Sequence, residues 1–175
     1  NVQAGVLPPV EKSQCGSTDD RVAVQDNRVA RIVPVGCTGW MINNDANHMF
    51  LSAGHCPAAG NFTTLHFNVP LSTSGAVTVA PAVADQYSID QTSVQYTSGG
   101  LGNDWCYFGA FPNSNTGLTP YQAYKSAFDV VTPPTSATGN TIRITGFGVD
   151  TGTASQTNQT HTGNMSSISG TTLYY

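Results

Sequence analysis

The segment Gly36-Cys-Thr-Gly-Trp-Met-Ile-Asn43, followed closely by Met49-Phe-Leu-Ser-Ala-Gly-His-Cys56, is the most informative part of the chain. Its second part has the pattern of a half-buried strand that ends in three small residues, Ser-Ala-Gly. Small residues let the backbone turn tightly, so His55 is expected just beyond the strand end. Cys56 can be tied back to Cys37, which would hold the imidazole still. Catalysis needs such rigidity, because a displacement of about 1 Å can lower a rate about 100-fold.

The composition around this segment is that of a β protein. Only 9% of the 175 residues are charged, whereas a soluble domain usually has about 25%. Exposed helix surfaces are normally covered with Glu, Lys, Arg and Gln, so a chain this poor in them is not mostly helical. Its many β-branched and turn-forming residues predict an all-β fold. A hydrophobic fraction of 39% and a net charge of −4 favour a packed core over disorder.

Charge and cysteine content limit the possible partners and compartment. Six basic residues and a pI near 5.3 provide no positive surface for phosphates, so nucleic acid is not an expected partner. No apolar run approaches the ~18 residues that span a bilayer, and no membrane association is expected. Four cysteines in a chain of low charge favour a secreted protein. Because the sequence begins at Asn1 without an apolar leader, a targeting segment is expected to have been removed.

Short β-prone runs alternate with turn residues along the chain, as in a barrel or a sandwich. The predicted strands are Arg21–Gln25, Arg28–Val35, Thr38–Asn43, His48–Ser52, Thr64–Val69, Ala76–Ala80, Thr92–Tyr96, Asp104–Ala110, Lys125–Val131, Thr141–Gly146 and Thr171–Tyr175. A Pro pair and small polar residues after Val131 resist both helix and central strand. The predicted division is an N-terminal extension (1–21), a first β unit (22–131), a linker (132–140) and a second β unit (141–175).

The two quoted segments resemble the histidine region of the chymotrypsin- and trypsin-like serine peptidases. Cys-Thr-Gly-Trp-Met-Ile is similar to the family's Cys-x-Gly-x-Leu-Ile, and Leu-Ser-Ala-Gly-His-Cys to its Leu-Thr-Ala-Ala-His-Cys. Thr38-Gly39, Met49-Phe50-Leu51 and the Asn43-Asn44 turn are similar to the bacterial lysyl-endopeptidase-like branch. Farther along, Thr141-Ile-Arg-Ile-Thr-Gly-Phe-Gly148 resembles the strand that opens the family's second barrel. The resemblance, from about Val22 onward, implies a double β-barrel whose first barrel is complete and whose second is partial.

The resemblance implies that His55 is a general base and then a general acid. An imidazole in this role needs a carboxylate that fixes its tautomer, and in the family this Asp opens a strand as Asp-Ile-Ala-Leu or Asp-Trp-Ala. Asp104, in Gly-Asn-Asp-Trp-Cys, matches that pattern. Asp85 and Asp90 also follow His55, but they are interpreted as solvated loop carboxylates. Asp129, in a predicted strand near the linker, is the weakest competitor.

The other histidines are not expected to act in catalysis. His48 lies in a polar turn, and His161 is interpreted as an exposed or hydrogen-bonded strand histidine. His66 alternates with Leu65 and Phe67 and is expected to face the surface.

The resemblance also implies a Cys37–Cys56 disulfide, the family's histidine-loop bridge, and leaves Cys15 to pair with Cys106. A zinc site is not expected, because these cysteines and histidines lack the usual paired spacing. Cys56 is not expected to be a thiol nucleophile, because sequence neighbours on a tight turn seldom point at one another. No metal or organic cofactor is expected.

The family's nucleophile motif, Gly-Asn/Asp-Ser-Gly-Gly/Ser-Pro, does not occur in this sequence. Ser98-Gly99-Gly100 precedes Asp104, which is the wrong order, and Ser169-Gly170 lacks the rest of the motif. We therefore expect a secreted serine endopeptidase that cleaves protein or peptide substrates, with the serine on a second chain or C-terminal fragment and Tyr175 as a processing site.

Two alternatives stay open at this point. The chain can be a truncated or degenerate relative without hydrolytic activity. It can also be a protease-like β domain that binds protein or glycan through aromatic side chains; the candidates are Trp40, Trp105, Tyr121 and Tyr124.

Overall fold

A computed structural model describes residues 18–43 and 48–175 and confirms the prediction of an all-β protein. The strands are β1 (Val22–Ala23), β2 (Val29–Pro34), β3 (Cys37–Met41), β4 (Phe50–Ser52), β5 (Phe62–His66), β6 (Gln86–Ser98), β7 (Asp104–Ala110), β8 (Thr141–Gly146), β9 (Gln159–Asn164), β10 (Ser167–Ser169) and β11 (Thr172–Tyr174). Among the described residues there are two short α-helices, α1 (His55–Ala58) and α2 (Pro120–Tyr124), and two 3-10 turns, Val83–Asp85 and Gly152–Ala154. Neither of these helices has the length and apolar character needed to cross a bilayer, and the described residues contain no other candidate. Cys15 and the predicted turn at Asn44 lie outside the described residues.

Six antiparallel strands close into a barrel in the order β2-β3-β4-β7-β6-β5. Aromatic side chains fill its interior: the ring of Phe108 lies 4.8 Å from that of Phe62 and 5.5 Å from that of Phe50. Strands β4 and β7 are neighbours, with Ser52 opposite Cys106. Because antiparallel neighbours bring the end of one strand to the beginning of the other, the residues after β4 and those that open β7 lie at the same rim of the barrel.

The remaining strands form a second, smaller unit that does not close within the described residues. Its main sheet has the order β1-β9-β8, and β10 and β11 form a separate hairpin. The prediction of one complete and one partial barrel is confirmed. One strand lies elsewhere than predicted, because Val22 and Ala23 pair with β9 and not with the first barrel.

Several predicted strands differ from the observed ones. Residues 76–80 form no strand, since Ala76 has a positive φ of 61° inside a turn. Lys125 ends α2 in the left-handed conformation, and the segment after it makes a single bridge, between Phe128 and Ile42. Strand β6 is longer than predicted, and β9 and β10 were not predicted because their polar sequences lack an apolar alternation.

His66 is buried, which corrects the expectation that it faces the surface. Leu65 and Phe67 point into the barrel as predicted, and both are fully buried. The outer face of β5 is itself covered, so His66 is only 8% exposed and lies opposite Arg31 of β2. Burial, and then the positive charge of Arg31, lower the pKa of His66 to about 4.

We expect this histidine to make the protein less stable in mild acid. An unfolded histidine takes up a proton near pH 6.5, whereas folded His66 does so only near pH 4. Between these values the unfolded chain binds more protons, so the free energy of unfolding falls as the pH is lowered, by about 3 kcal/mol at pH 4. Urea unfolding of the wild type and of His66→Gln at several pH values measures the difference. Carboxylates add their own pH dependence to both proteins, so equal slopes between pH 6.5 and pH 4 would contradict the prediction.

Candidate active site

His55 is placed by a close approach of backbones at the rim of the barrel. It opens α1 directly after Gly54, whose φ of −70° suits any residue. Space is the restriction there: a Cβ on Gly54 would lie 1.8 Å from the carbonyl oxygen of Thr97 and 2.7 Å from that of Trp105. Glycine therefore lets the chain turn against the paired strands β6 and β7.

Asp104 opens β7 at the same rim and holds His55 through both carboxylate oxygens. Its Oδ2 lies 2.6 Å from Nδ1 of His55, and its Oδ1 accepts the backbone N–H of His55 at 2.8 Å. The hydrogen bond from the imidazole, opposed by burial and supported by backbone N–H groups, lowers the pKa of Asp104 below its usual value. An ionised Asp104 keeps the proton on Nδ1, so that the lone pair of Nε2 is free to accept a proton.

The outer edge of the imidazole is open. The side chain of His55 is 65% exposed and that of Asp104 is 25% exposed. Nδ1 is engaged by Asp104, and Nε2 makes no hydrogen bond to any residue in the described part of the chain. The pair is therefore held on one side and accessible on the other, which is the arrangement that a general base needs.

The predicted Cys37–Cys56 disulfide is formed, with the two Cα atoms 6.3 Å apart. It joins β3 to α1 one residue after His55. Beside it, the hydroxyl of Ser52 donates to the carbonyl of Thr38 at 2.8 Å. These two links fix the end of β4 and thereby the position of the imidazole.

Cys106 is a free thiol in the core of the barrel, fully buried. This does not agree with the bond expected between it and Cys15, which lies outside the described residues. The side chain of Cys106 belongs to the buried core cluster of the barrel. Burial raises the pKa of this thiol to about 11, so it is not a reactive nucleophile.

Ligand atoms of Cys37, His55 and Cys56 lie within 4.8 Å of one another. Zinc binds cysteine as a thiolate. Because both sulfur atoms belong to the disulfide, this group does not provide the thiolates of a metal centre.

The competing carboxylates have other partners. Asp85 accepts the hydroxyl of Tyr124 at 2.7 Å, Asp90 accepts the hydroxyl of Thr92 at 2.6 Å, and Asp129 accepts an N–H of Asn43 at 3.0 Å. None of these contacts involves His55.

The remaining two histidines also lie away from the His55–Asp104 pair. The ring of His48 stacks on that of Tyr121, with centroids 3.3 Å apart. His161 lies 3.1 Å from Asp20 in the second unit, in agreement with a hydrogen-bonded strand histidine.

Comparison with solved structures identifies the architecture. The crystal structure of a thermostable serine protease AL20 from an extremophilic microorganism matches with a TM-score of 0.56 and 12% identity, over 79% of this chain and 64% of that one. A Glu endopeptidase in complex with MPD matches with a TM-score of 0.55 and 19% identity, over 85% of this chain and 69% of that one. The chain has the fold of the trypsin-like serine proteases. It spans about two thirds of the length of these two proteases, and no family model and no curated protein sequence matches it.

In a trypsin-like fold the nucleophile would be a serine next to the histidine, so the positions of Ser98 and Ser169 are relevant. Ser98 lies opposite Asp104 at the end of β6, and Ser169 ends β10 before the hairpin turn. Among the described residues, neither makes a hydrogen bond to His55. The β10–β11 hairpin does approach the site, since the hydroxyl of Thr171 donates to the carbonyl of Gly102 at 3.2 Å.

The enclosure of Gly54 is the feature of the site that the sequence reasoning did not foresee. The sequence gives one indication of it: Gly54 occupies a position where the family that the chain resembles commonly has alanine. The carbonyls of Thr97 and Trp105 that enclose it are distant in sequence and carry no motif.

Proposed function

We propose that this chain is the histidine- and aspartate-bearing part of a secreted serine endopeptidase. The hydrogen-bonded His55–Asp104 pair, with Nε2 facing outward, is the observation that carries the proposal. The trypsin-like fold supports it, and the disulfide next to His55 is consistent with an oxidising, extracellular environment.

In the proposed mechanism, His55 acts first as a base and then as an acid. A serine hydroxyl attacks the carbonyl of the scissile peptide bond while Nε2 of His55 takes its proton. Asp104 stabilises the imidazolium ion that forms, and the proton then passes to the leaving amine. Water hydrolyses the acyl-enzyme by the reverse steps. These steps need no metal or organic cofactor.

The nucleophilic serine is proposed to come from a second chain or a C-terminal fragment. The family's serine motif is absent from residues 1–175, and the two similar proteases are longer than this chain. Among the described residues, no further strand pairs with either edge of the β1-β9-β8 sheet, and an open edge normally pairs with a further strand or is protected in another way. A segment that completes this sheet would bring the serine, the oxyanion hole and the substrate pocket to His55.

A fluorophosphonate probe, which reacts with activated serines, tests the proposal. We expect it to label a polypeptide that co-purifies with the His55-bearing chain, and we expect His55→Ala to abolish the labelling. Intact-mass analysis under denaturing, reducing conditions identifies the labelled species. A single unlabelled species of 18.3 kDa, with no second chain, would refute the two-chain proposal and leave the protein- or glycan-binding domain as the better interpretation.

A further inference from the structure

A cavity lies away from the His55–Asp104 pair, where the barrel meets the second unit. Its volume is about 480 Å³. Four segments of the chain line it: β2 with Arg31, β5 with His66, the 78–80 segment with Thr78, and the 149–156 segment with Val149 and Gln156.

Arg31 is the unusual residue in this cavity, because it is a buried cation with no anionic partner among the described residues. It is only 2% exposed. Its guanidinium donates to the carbonyls of Gln156 at 3.0 Å and Val79 at 2.9 Å, and lies 3.5 Å from Nδ1 of His66. Its Nε–H has no acceptor in the described part of the chain.

The other arginines of the described residues differ from Arg31 in this respect. Arg21 pairs with Asp19, and both Arg28 and Arg143 pair with Asp26. Among the described residues Arg31 is in no such pair. Burying an unpaired charge is strongly unfavourable, and His66 adds no negative charge. Within residues 18–43 and 48–175, no carboxylate therefore balances the charge of Arg31 in this cavity.

The geometry points to this cavity as the binding site of an oxyanion, held by the guanidinium of Arg31. Guanidinium groups pair with the oxygens of phosphates and carboxylates through charge-assisted hydrogen bonds, and the Nε–H of Arg31 is a donor with no acceptor among the described residues. The bound anion would contact β2, the 78–80 segment and the turn at Gln156 together. It would thus strengthen the attachment of the second unit to the barrel.

Thermal unfolding in matched salts measures the binding. We expect potassium phosphate to raise the Tm saturably, by about 5 °C at a concentration 100 times its Kd, over potassium chloride of equal ionic strength. A blocked aspartate, N-acetyl-aspartate amide, is the second ligand. A larger response to phosphate assigns the site to a free inorganic anion, and a larger response to the blocked aspartate assigns it to a carboxylate of a protein chain. No saturable rise with either ligand would overturn the proposal.

A pair of variants at Thr78 tests whether Arg31 is the origin of the effect. Thr78 lines the cavity and is exposed, so substitution there leaves the core intact. Thr78→Glu supplies an internal carboxylate, and we expect a higher Tm in chloride and no further rise with phosphate. Thr78→Gln has the same shape without the charge and should respond to phosphate as the wild type does. If Thr78→Glu retains the full response, the anion does not bind at Arg31 and the proposal fails.

Discussion

Replacing Asp104 by Asn is expected to lower kcat about 10,000-fold while the barrel stays folded. In the wild type, the carboxylate of Asp104 accepts two hydrogen bonds from His55. One comes from Nδ1–H of the ring at 2.6 Å, and the other comes from the backbone N–H at 2.8 Å. The amide of Asn can still accept the backbone N–H, but its NH₂ group then faces Nδ1. Nδ1 must accept that hydrogen bond, so the proton moves to Nε2. An imidazole in this tautomer cannot take a proton from serine.

Two measurements check this prediction. The first is kcat on a peptide ester with the serine-bearing partner present, and it depends on the proposed function. The second is the nitrogen NMR shifts of the His55 ring, which report the tautomer even without a partner. We expect the ring proton of His55 to be on Nδ1 in the wild type and on Nε2 in Asp104→Asn. Asp90→Asn, at a carboxylate that contacts Thr92 and not His55, is the matched control. An Asp104→Asn protein with an unchanged tautomer would show that this contact does not govern the imidazole.

The pairing of His55 with Asp104 was predictable because both residues lie in short segments that resemble motifs of a known family. Leu-Ser-Ala-Gly-His-Cys resembles the family's histidine motif, and Asp-Trp-Cys resembles the motif of its aspartate. The fold then brings them together for a simple reason, since β4 and β7 are antiparallel neighbours. The same holds for the Cys37–Cys56 bond, which closes the hairpin next to the histidine.

The features that were not predictable depend on contacts between segments that are distant in the sequence. His66 alternates with apolar residues, which is the pattern of a surface residue on a strand. The outer face of β5 is covered, however, so His66 is buried beside Arg31. Strand β1 lies within the predicted strand Arg21–Gln25, but the sequence does not show that it pairs with β9 of the second unit. Periodicity describes which face of a strand a residue occupies, but it does not say whether another part of the chain covers that face.

Replacing Gly54 by Ala is expected to disrupt the candidate active site and to lower the free energy of unfolding by about 3 kcal/mol, the upper part of the usual range for overpacking. The added methyl would lie 1.8 Å from the carbonyl oxygen of Thr97, less than half the distance of an ordinary contact. Thr97 is paired with Trp105 in the β6–β7 ladder, so neither backbone can move without breaking strand hydrogen bonds. The shift would displace both neighbours of this contact, His55 after Gly54 and Asp104 before Trp105.

Urea unfolding measures the loss of stability, and the His55 ring shifts measure the loss of the contact with Asp104. Gly75→Ala is the matched control, because Gly75 lies in a turn where the nearest atom to an added Cβ is 3.9 Å away. There the methyl group meets no obstacle, and alanine restricts the unfolded chain, so this variant should be as stable as the wild type or more stable, by up to about 1 kcal/mol. Gly54→Ala and Gly75→Ala thus add the same atom with opposite expected outcomes. Equal stability of the two variants would mean that the backbone around His55 yields easily, and the rigidity attributed to this rim would be wrong.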